Sequence, residues 1–353
     1  MHPLRSACRA SLILTLLFAF AASAQLSGPL TLKAQGSFFV GGETKTLSLP
    51  AYGPLPAQRG DITVNQMYVQ YQIPLQGARH VPVVMVHGCC LSSKTWETTP
   101  DGRIGWSEYF VRKQRSVYLA DQVSRARSGF DPSTFGEVRT GKAPPAQLPS
   151  ILNATHQFAW TVFRFGPKFG EAFPDEQFPL QAVDELYKQM IPDLNALLPR
   201  DANPTWTQMA ALGAQLHGAV LIGHSESGFF PERAALIDAS GIRGAITIET
   251  QCETGLTAAQ LATLAKIPTL IMFGDHLEAV TDGPRFWKPA FDSCNTFIEQ
   301  LKKTGGDAQM MYLPALGIKG NSHMLMQDKN SNQLADLLID WIDHHVEAHA
   351  AAR

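Results

Sequence analysis

The sequence predicts an α/β protein: a mostly parallel central sheet flanked by helices, with one inserted region. Three observations predict it. Short apolar runs that read as buried strands alternate with helical stretches, the rhythm of parallel strand-helix-strand units. One of these runs, 219–222, ends in a tight Gly-x-Ser turn that opens a helix. Between two such runs lies a long aromatic-rich stretch with no strand pattern.

The N-terminus reads as a processing signal. Arg5 and Arg9 precede an apolar core at 12–21 that is short for a bilayer span, and Ala22-Ser23-Ala24 has the small residues of a cleavage site. Residues 1–24 are therefore expected to be a signal peptide. The mature chain, 25–353, is expected in a bacterial periplasm or outside the cell. No later segment approaches membrane-spanning length, so no membrane span is expected in the mature chain. A net charge of −2 gives no reason to expect nucleic acid as a partner. No CxxC or HExxH spacing suggests a metal, and no cofactor is implied. A homodimer is compatible with the sequence. Cys8 leaves with the signal, so Cys89, Cys90, Cys252 and Cys294 remain. An even number in an oxidising compartment invites pairing, with three connectivities open.

The mature chain begins with strand-like runs at 37–40, 45–49 and 62–73, separated by Gly-Gly and Pro-rich turns. Residues 67–73 partly alternate apolar with polar, as a strand with one buried face does. The apolar strand 82–87 stops at His87-Gly88-Cys89-Cys90, a place where acyl-transfer enzymes set backbone donors for an oxyanion. A helix at 105–113 and a strand at 116–120 follow. From 130 to about 206 the chain is rich in Pro, Gly and aromatics, among them Phe158, Trp160, Phe163, Phe165 and Phe169. So many aromatics need something to cover, and a cap or lid at about 130–212 lining a pocket is expected.

The alternation then resumes. Strand 219–222 and turn 223–228 lead into a helix reaching 239. Strand 245–249, helix 258–265, strand 269–273, helix 291–303 and strand 309–313 follow. Residues 332–348 close the chain as an amphipathic helix with Leu334, Leu337, Leu338, Trp341 and Ile342 on its apolar side.

Three features carry chemistry. Gly223-His224-Ser225-Glu226-Ser227 is a G-x-S-x-G-like turn between strand and helix, with Ser227 where glycine is usual and Gly228 next. Ser225 is the expected nucleophile; Ser227, its competitor, would need a different turn geometry. The N–H of Glu226 is one expected oxyanion donor, which requires its carboxylate to point elsewhere. In chain order an acid and then a histidine should follow. His323, in the Gly-rich loop 317–323 before the last helix, is better placed than His276 or than His344, His345 and His349 at the chain end. For the acid, Asp275 ends the strand that topology favours and Glu249 ends the one before it. Glu253, Glu278 and Asp282 have weaker claims.

Together HGCCLSSKTWETTPDG, GHSESG, the ITIE strand end, FGDH and GNSHMLMQDKN resemble a small group of secreted bacterial serine esterases of the α/β-hydrolase superfamily. In that group a disulfide joins adjacent cysteines at the oxyanion hole. The resemblance covers nearly the whole mature chain and is weakest in the insertion. It implies a triad of Ser225, His323 and Glu249, overriding the topological preference for Asp275. It also implies a Cys89–Cys90 disulfide, Cys89 and Glu226 as oxyanion donors, and Cys252 paired with Cys294. The expected substrate is a small-molecule carboxylic ester. A lactone or amide acted on by the same triad is the alternative, and a silent hydrolase fold used for binding is the alternative of another class.

Overall fold

The computed structural model describes residues 28–77, 79–279 and 285–348. The expected signal peptide lies outside them. Eight strands form one sheet in the order β1-β2-β4-β3-β5-β6-β7-β8. The strands are β1 (Leu32–Leu49), β2 (Gln58–Pro74), β3 (Val83–Val86), β4 (Val117–Ala120), β5 (Ala219–His224), β6 (Ile242–Ile248), β7 (Thr269–Phe273) and β8 (Ala308–Tyr312). β1 and β2 form an antiparallel edge, and β4 through β8 run parallel. Every residue of β3, β5 and β7 is buried, which is why these strands are continuous apolar runs with no alternation.

The first two strands depart from the expected pattern. Gly41-Gly42 was expected to break the chain, but β1 runs through it and stays paired with β2, the two glycines adopting φ of 69° and 106°. The cross-strand ladder keeps the register that the turn chemistry argued against. Only Val69–Gln72 of β2 pairs with β4, so the distal part of the hairpin extends past the sheet.

Helices pack in two groups. On one side α1 (Trp106–Arg112) contacts β2, β4 and the terminal helix. Between β4 and β5 the described chain forms short helices and no sheet strand: α2 (Ser133–Arg139), α3 (His156–Val162) and α4 (Val183–Gln189). α5 (Pro204–Gln215) then packs beside β5 together with α6 (Phe230–Ile237). α7 (Ala258–Leu264) and α8 (Trp287–Lys303) continue that group toward β8, and α9 (Ser331–Ile342) closes the α1 side. Helix α8 starts four residues earlier than the sequence suggests, which brings Trp287 into the core. Cys252 and Cys294 are joined by a disulfide that ties the segment after β6 to α8. Because β3 connects outward to β4 while β5 begins the opposite half, a crevice opens at the carboxyl ends of β3 and β5. Such switch points are where open α/β sheets hold ligands.

Candidate active site

Ser225 follows directly on β5 with φ of +57°, a left-handed conformation that costs a non-glycine residue about 1–3 kcal/mol. Close packing holds it there. A Cβ on Gly223 would lie 2.0 Å from the Ser227 carbonyl and one on Gly228 2.4 Å from the Thr250 side chain, so glycine is needed on both sides of the turn. Ser227, at the usual glycine position, is fully buried; its hydroxyl donates to the Val86 carbonyl at 2.9 Å and accepts the His224 N–H at 3.1 Å. It ties β3 to the turn and has no access to solvent. The elbow residue that opens on the crevice is Ser225.

The end of β3 lies against this serine. A Cβ on Gly88 would fall 2.6 Å from Ser225 Cβ, so only glycine permits the approach. His87 Nε2 accepts the Gln122 backbone N–H at 3.2 Å, which leaves the ring proton on Nδ1, where it donates to the Gly88 carbonyl at 2.9 Å. In a trans peptide the C=O and the next N–H point in opposite directions. Holding the Gly88 carbonyl therefore turns the Cys89 N–H the other way. Burial lowers the His87 pKa to about 4, so this tautomer persists at ordinary pH.

The Glu226 carboxylate is held by three polar side chains. It accepts from Asn195 Nδ2 at 2.6 Å, Arg125 at 3.2 Å and Gln122 at 3.3 Å. Burial raises its pKa and Arg125 opposes the rise. Arg125 is shared with Asp193, at 2.6 Å. Cys89 and Cys90 beside this network carry unbonded thiols, so the bond expected between them is not formed here. Adjacent Cα atoms across a trans peptide are only about 3.8 Å apart, shorter than ordinary disulfides span, and closing the ring requires a distorted backbone. Cys90 already has φ of +59°.

His323 is completely buried between the Phe163 ring, 5.3 Å away and stacked, and Trp287 at 4.3 Å. Its backbone carbonyl accepts from His224 Nε2 at 2.9 Å, which pins the histidine loop to the residue before Ser225. Its Nδ1 faces Glu249 Oε2 at 3.3 Å, and Nε2 is left without a hydrogen bond. Burial, helped by the Arg164 charge, lowers the His323 pKa against the pull of Glu249. The contact is therefore a neutral imidazole donating to a carboxylate, with no ion pair at rest. Glu249 itself is buried with φ of +53°. Burial pushes its carboxyl up, but Arg164 and the His323 hydrogen bond outweigh that and hold it at about 2.

Asp275, the competing acid, is not at His323. Its carboxylate accepts the N–H of Gly320 at 3.0 Å and of His276 at 2.7 Å, bracing the base of the histidine loop. His276 stacks on Phe173 and contacts Asp175. Glu253 pairs with Arg233, Glu278 is exposed, and Asp282 lies outside the described residues. His344 and His345 sit in the helical extension after α9, and His349 is outside the described residues.

Sequence reasoning missed two contributors. Asp328 holds the loop by accepting from Asn321, Ser322 N–H and Ser322 Oγ at 2.6–2.9 Å. Arg164, buried in the segment after α3, was also missed. The available signal was a lone arginine between Phe163 and Phe165, a charge in an aromatic cluster that requires a buried partner. Beside Ser225 and Glu249 opens a cavity of about 280 Å³ lined mainly by apolar side chains, including Phe158, Val162, Phe163, Phe286, Trp287 and Ala290.

The sheet order and the strained serine turn at its crevice define an α/β-hydrolase fold. No protein-family model matches the chain. A solved structure described as that of a novel bacterial esterase is 47% identical, with a TM-score of 0.85 over 91% of this chain and 98% of that one. A fungal protein named "Probable secreted lipase phiG" is 24% identical over 322 residues, 78% of this chain and 85% of the relative. The chain belongs to the esterases of the α/β-hydrolase fold, which are carboxylic ester hydrolases.

Proposed function

We propose that this protein is a secreted serine esterase that cleaves small carboxylic esters through Ser225, His323 and Glu249. The observation that carries the reading is the placement of Glu249, rather than Asp275, on Nδ1 of a buried histidine whose loop is pinned beside Ser225. His323 Nε2 takes the Ser225 proton as Oγ attacks the ester carbonyl. Glu249 holds the imidazole in the tautomer that leaves Nε2 free to accept, and stabilises the imidazolium that forms. The tetrahedral oxyanion is held by the N–H groups of Cys89 and Glu226, each worth about 3–4 kcal/mol in such sites. The imidazolium then protonates the leaving alcohol, and water releases the acid from the acyl-enzyme by the same route in reverse.

Nothing in these steps requires a metal or cofactor. The apolar cavity suits the hydrocarbon part of a short ester. Secretion is supported by the leader-like N-terminus and by the word "secreted" in the fungal relative's name. Among the described residues no helix is long and apolar enough to cross a membrane. Within this reading the insertion acts as a cap over the cavity. In an oxidising compartment the two thiols of Cys89 and Cys90 close into the vicinal disulfide that the family resemblance implies, their two electrons and two protons passing to a disulfide-exchange partner. The closed ring stiffens the loop that carries the Cys89 donor.

An organophosphonate tests the function. It should label Ser225 stoichiometrically and abolish hydrolysis of a short-chain aryl ester. A protein that neither reacts with the phosphonate nor turns over esters is a silent hydrolase fold. Intact-mass analysis of protein purified without reductant tests the cysteine pair, with two free thiols as the negative result.

A further inference from the structure

We propose that Arg164, supplied by the insertion, is a positioning residue for the triad: it fixes the Glu249 carboxylate toward His323 and makes the insertion part of the catalytic assembly. The inference rests on the Ser225–His323–Glu249 reading and adds to it a residue that the chemistry does not touch directly.

The geometry is complete on both partners. Arg164 Nη1 donates to Glu249 Oε2 at 2.8 Å and Nη2 to Oε1 at 2.6 Å, a two-pronged match of planar groups. The remaining nitrogen, Nε, donates to the Asp275 carbonyl at 2.7 Å, so the guanidinium plane cannot turn. The Gly274 N–H takes a further site on Glu249 Oε1 at 2.5 Å. With the carboxylate plane set by these donors, Oε2 is presented to His323 Nδ1.

The backbone around Arg164 is tied to the same place. Phe163 accepts the His323 N–H at 2.9 Å, and Val162 accepts the Trp287 indole N–H at 2.8 Å. The guanidinium lies 5.0 Å over the Trp287 ring. Three consecutive residues of the insertion therefore touch the acid, the base or the ring packed on the base. Arg164 adopts φ of +60°, as Ser225 and Glu249 adopt +57° and +53°, so three neighbouring site residues share a conformation held only by its surroundings.

Charge gives the role a signature that packing would not. The groups facing His323 are Glu249 from the end of β6, His224 from β5 and Arg164 from the insertion. Asp328 and Asp275 brace its own loop through Ser322, Asn321 and Gly320. Phe163 and Trp287 are uncharged. Arg164 opposes the imidazolium, so removing its charge favours protonation of His323 and moves the acid limb of the pH–rate profile upward.

The test uses the mature chain with Arg164→Lys and Arg164→Met, reading kcat, KM and the pH profile of kcat/KM on a soluble aryl ester. Arg164→Met should lower kcat about 100-fold with little change in KM, and raise the acid limb by about one pH unit. Arg164→Lys keeps the charge and loses the fork; it should lower kcat about tenfold and leave the limb in place. Wild-type kcat in folded Arg164→Lys overturns the proposal whether or not the methionine variant folds. So does an Arg164→Met loss that tracks only the folded fraction with an unmoved limb. Phosphonate labelling of the wild-type protein is read separately: failure there removes the triad reading itself, whereas labelled, active wild type with indifferent variants removes only Arg164.

Discussion

Two arginines hold carboxylates on opposite sides of the serine turn, and they do so differently. Arg164 uses all three of its guanidinium nitrogens, and its partner Glu249 is a single carboxylate with every neighbour specified. Arg125 divides one nitrogen between Asp193 and Glu226, and its Nε and Nη1 are buried without a hydrogen-bond partner. The acid side is set by charge and by fixed side-chain planes. On the other side the Cys89 N–H, the proposed oxyanion donor, is oriented through backbone by the His87 bond to the Gly88 carbonyl, and the charges beneath it are support. A group that must hold a proton-accepting imidazole needs directional charge. A backbone donor needs only a peptide plane that cannot rotate.

The largest effect tests what both sides serve. Ser225→Ala should lower turnover of an aryl ester by on the order of 10⁵–10⁶-fold, measured against a preparation checked for contaminating esterase. Turnover within tenfold of wild type would remove Ser225 as nucleophile. Next, the two acids should separate: Glu249→Gln is expected to lower kcat/KM about 10³–10⁴-fold, and Asp275→Asn about tenfold through its loop contacts. A reversed order would return the acid role to Asp275.

The comparison itself is sharpened by Arg125→Met, expected to cost roughly tenfold in kcat because the Cys89 donor keeps its own support in His87. A loss as large as that of the equivalent change at Arg164 would mean the two sides are built alike.

The pH profile follows from the pKa directions. In the proposed triad His323 must be neutral to accept the proton, and burial lowers its pKa below 6.5, so kcat/KM should hold as pH falls through 6.5 and drop only below it. Glu249, at about 2, stays ionised throughout that range. Stability has the same sign. Between 6.5 and the lower folded value the unfolded chain binds a proton that the folded one refuses, so stability falls as pH drops through that window. A plateau in kcat/KM that ends above pH 6.5 would contradict the assigned environment.

The smallest effect lies outside the site. Burial raises Glu232 to about 7 from an ordinary 4.5, with Thr247 Oγ1 donating to it at 2.6 Å. The folded protein keeps this proton where the unfolded chain has lost it. Its contribution is therefore fully present below 4.5 and is lost as pH rises through 7. Glu232→Gln should raise the melting temperature by a few degrees at pH 8 and by little at pH 4, read by thermal unfolding.

The central sheet was legible because buried parallel strands leave an unmistakable apolar run, as at Val83–Val86 and Ala219–Ile222. The serine turn was legible because strain demands small residues at fixed spacing. The acid was not decidable from topology, since both Glu249 and Asp275 end neighbouring strands; the choice depends on side-chain direction, which local sequence does not encode. Arg164 carries a signal as a charge among aromatics, but its role was not legible for a related reason. Its partner lies 85 residues away, and no periodicity in a strandless aromatic segment marks which residue turns inward. The long edge hairpin was misread because turn propensity at Gly41-Gly42 yields to a cross-strand ladder that only the folded chain contains.

The segment between β4 and β5 adds no strand to the sheet, so an exchange of it between proteins of this fold would leave the strand order intact. The guanidinium that crosses from the insertion to the Glu249 strand makes such an exchange conditional. A graft lacking the arginine would leave a carboxylate buried without its counter-charge, which in comparable sites costs about 3–5 kcal/mol. A graft bringing its own arginine into a scaffold without Glu249 would strand the opposite charge. A chimera that exchanges the segment carrying Arg164 should therefore keep its fold only where Glu249 is kept with it.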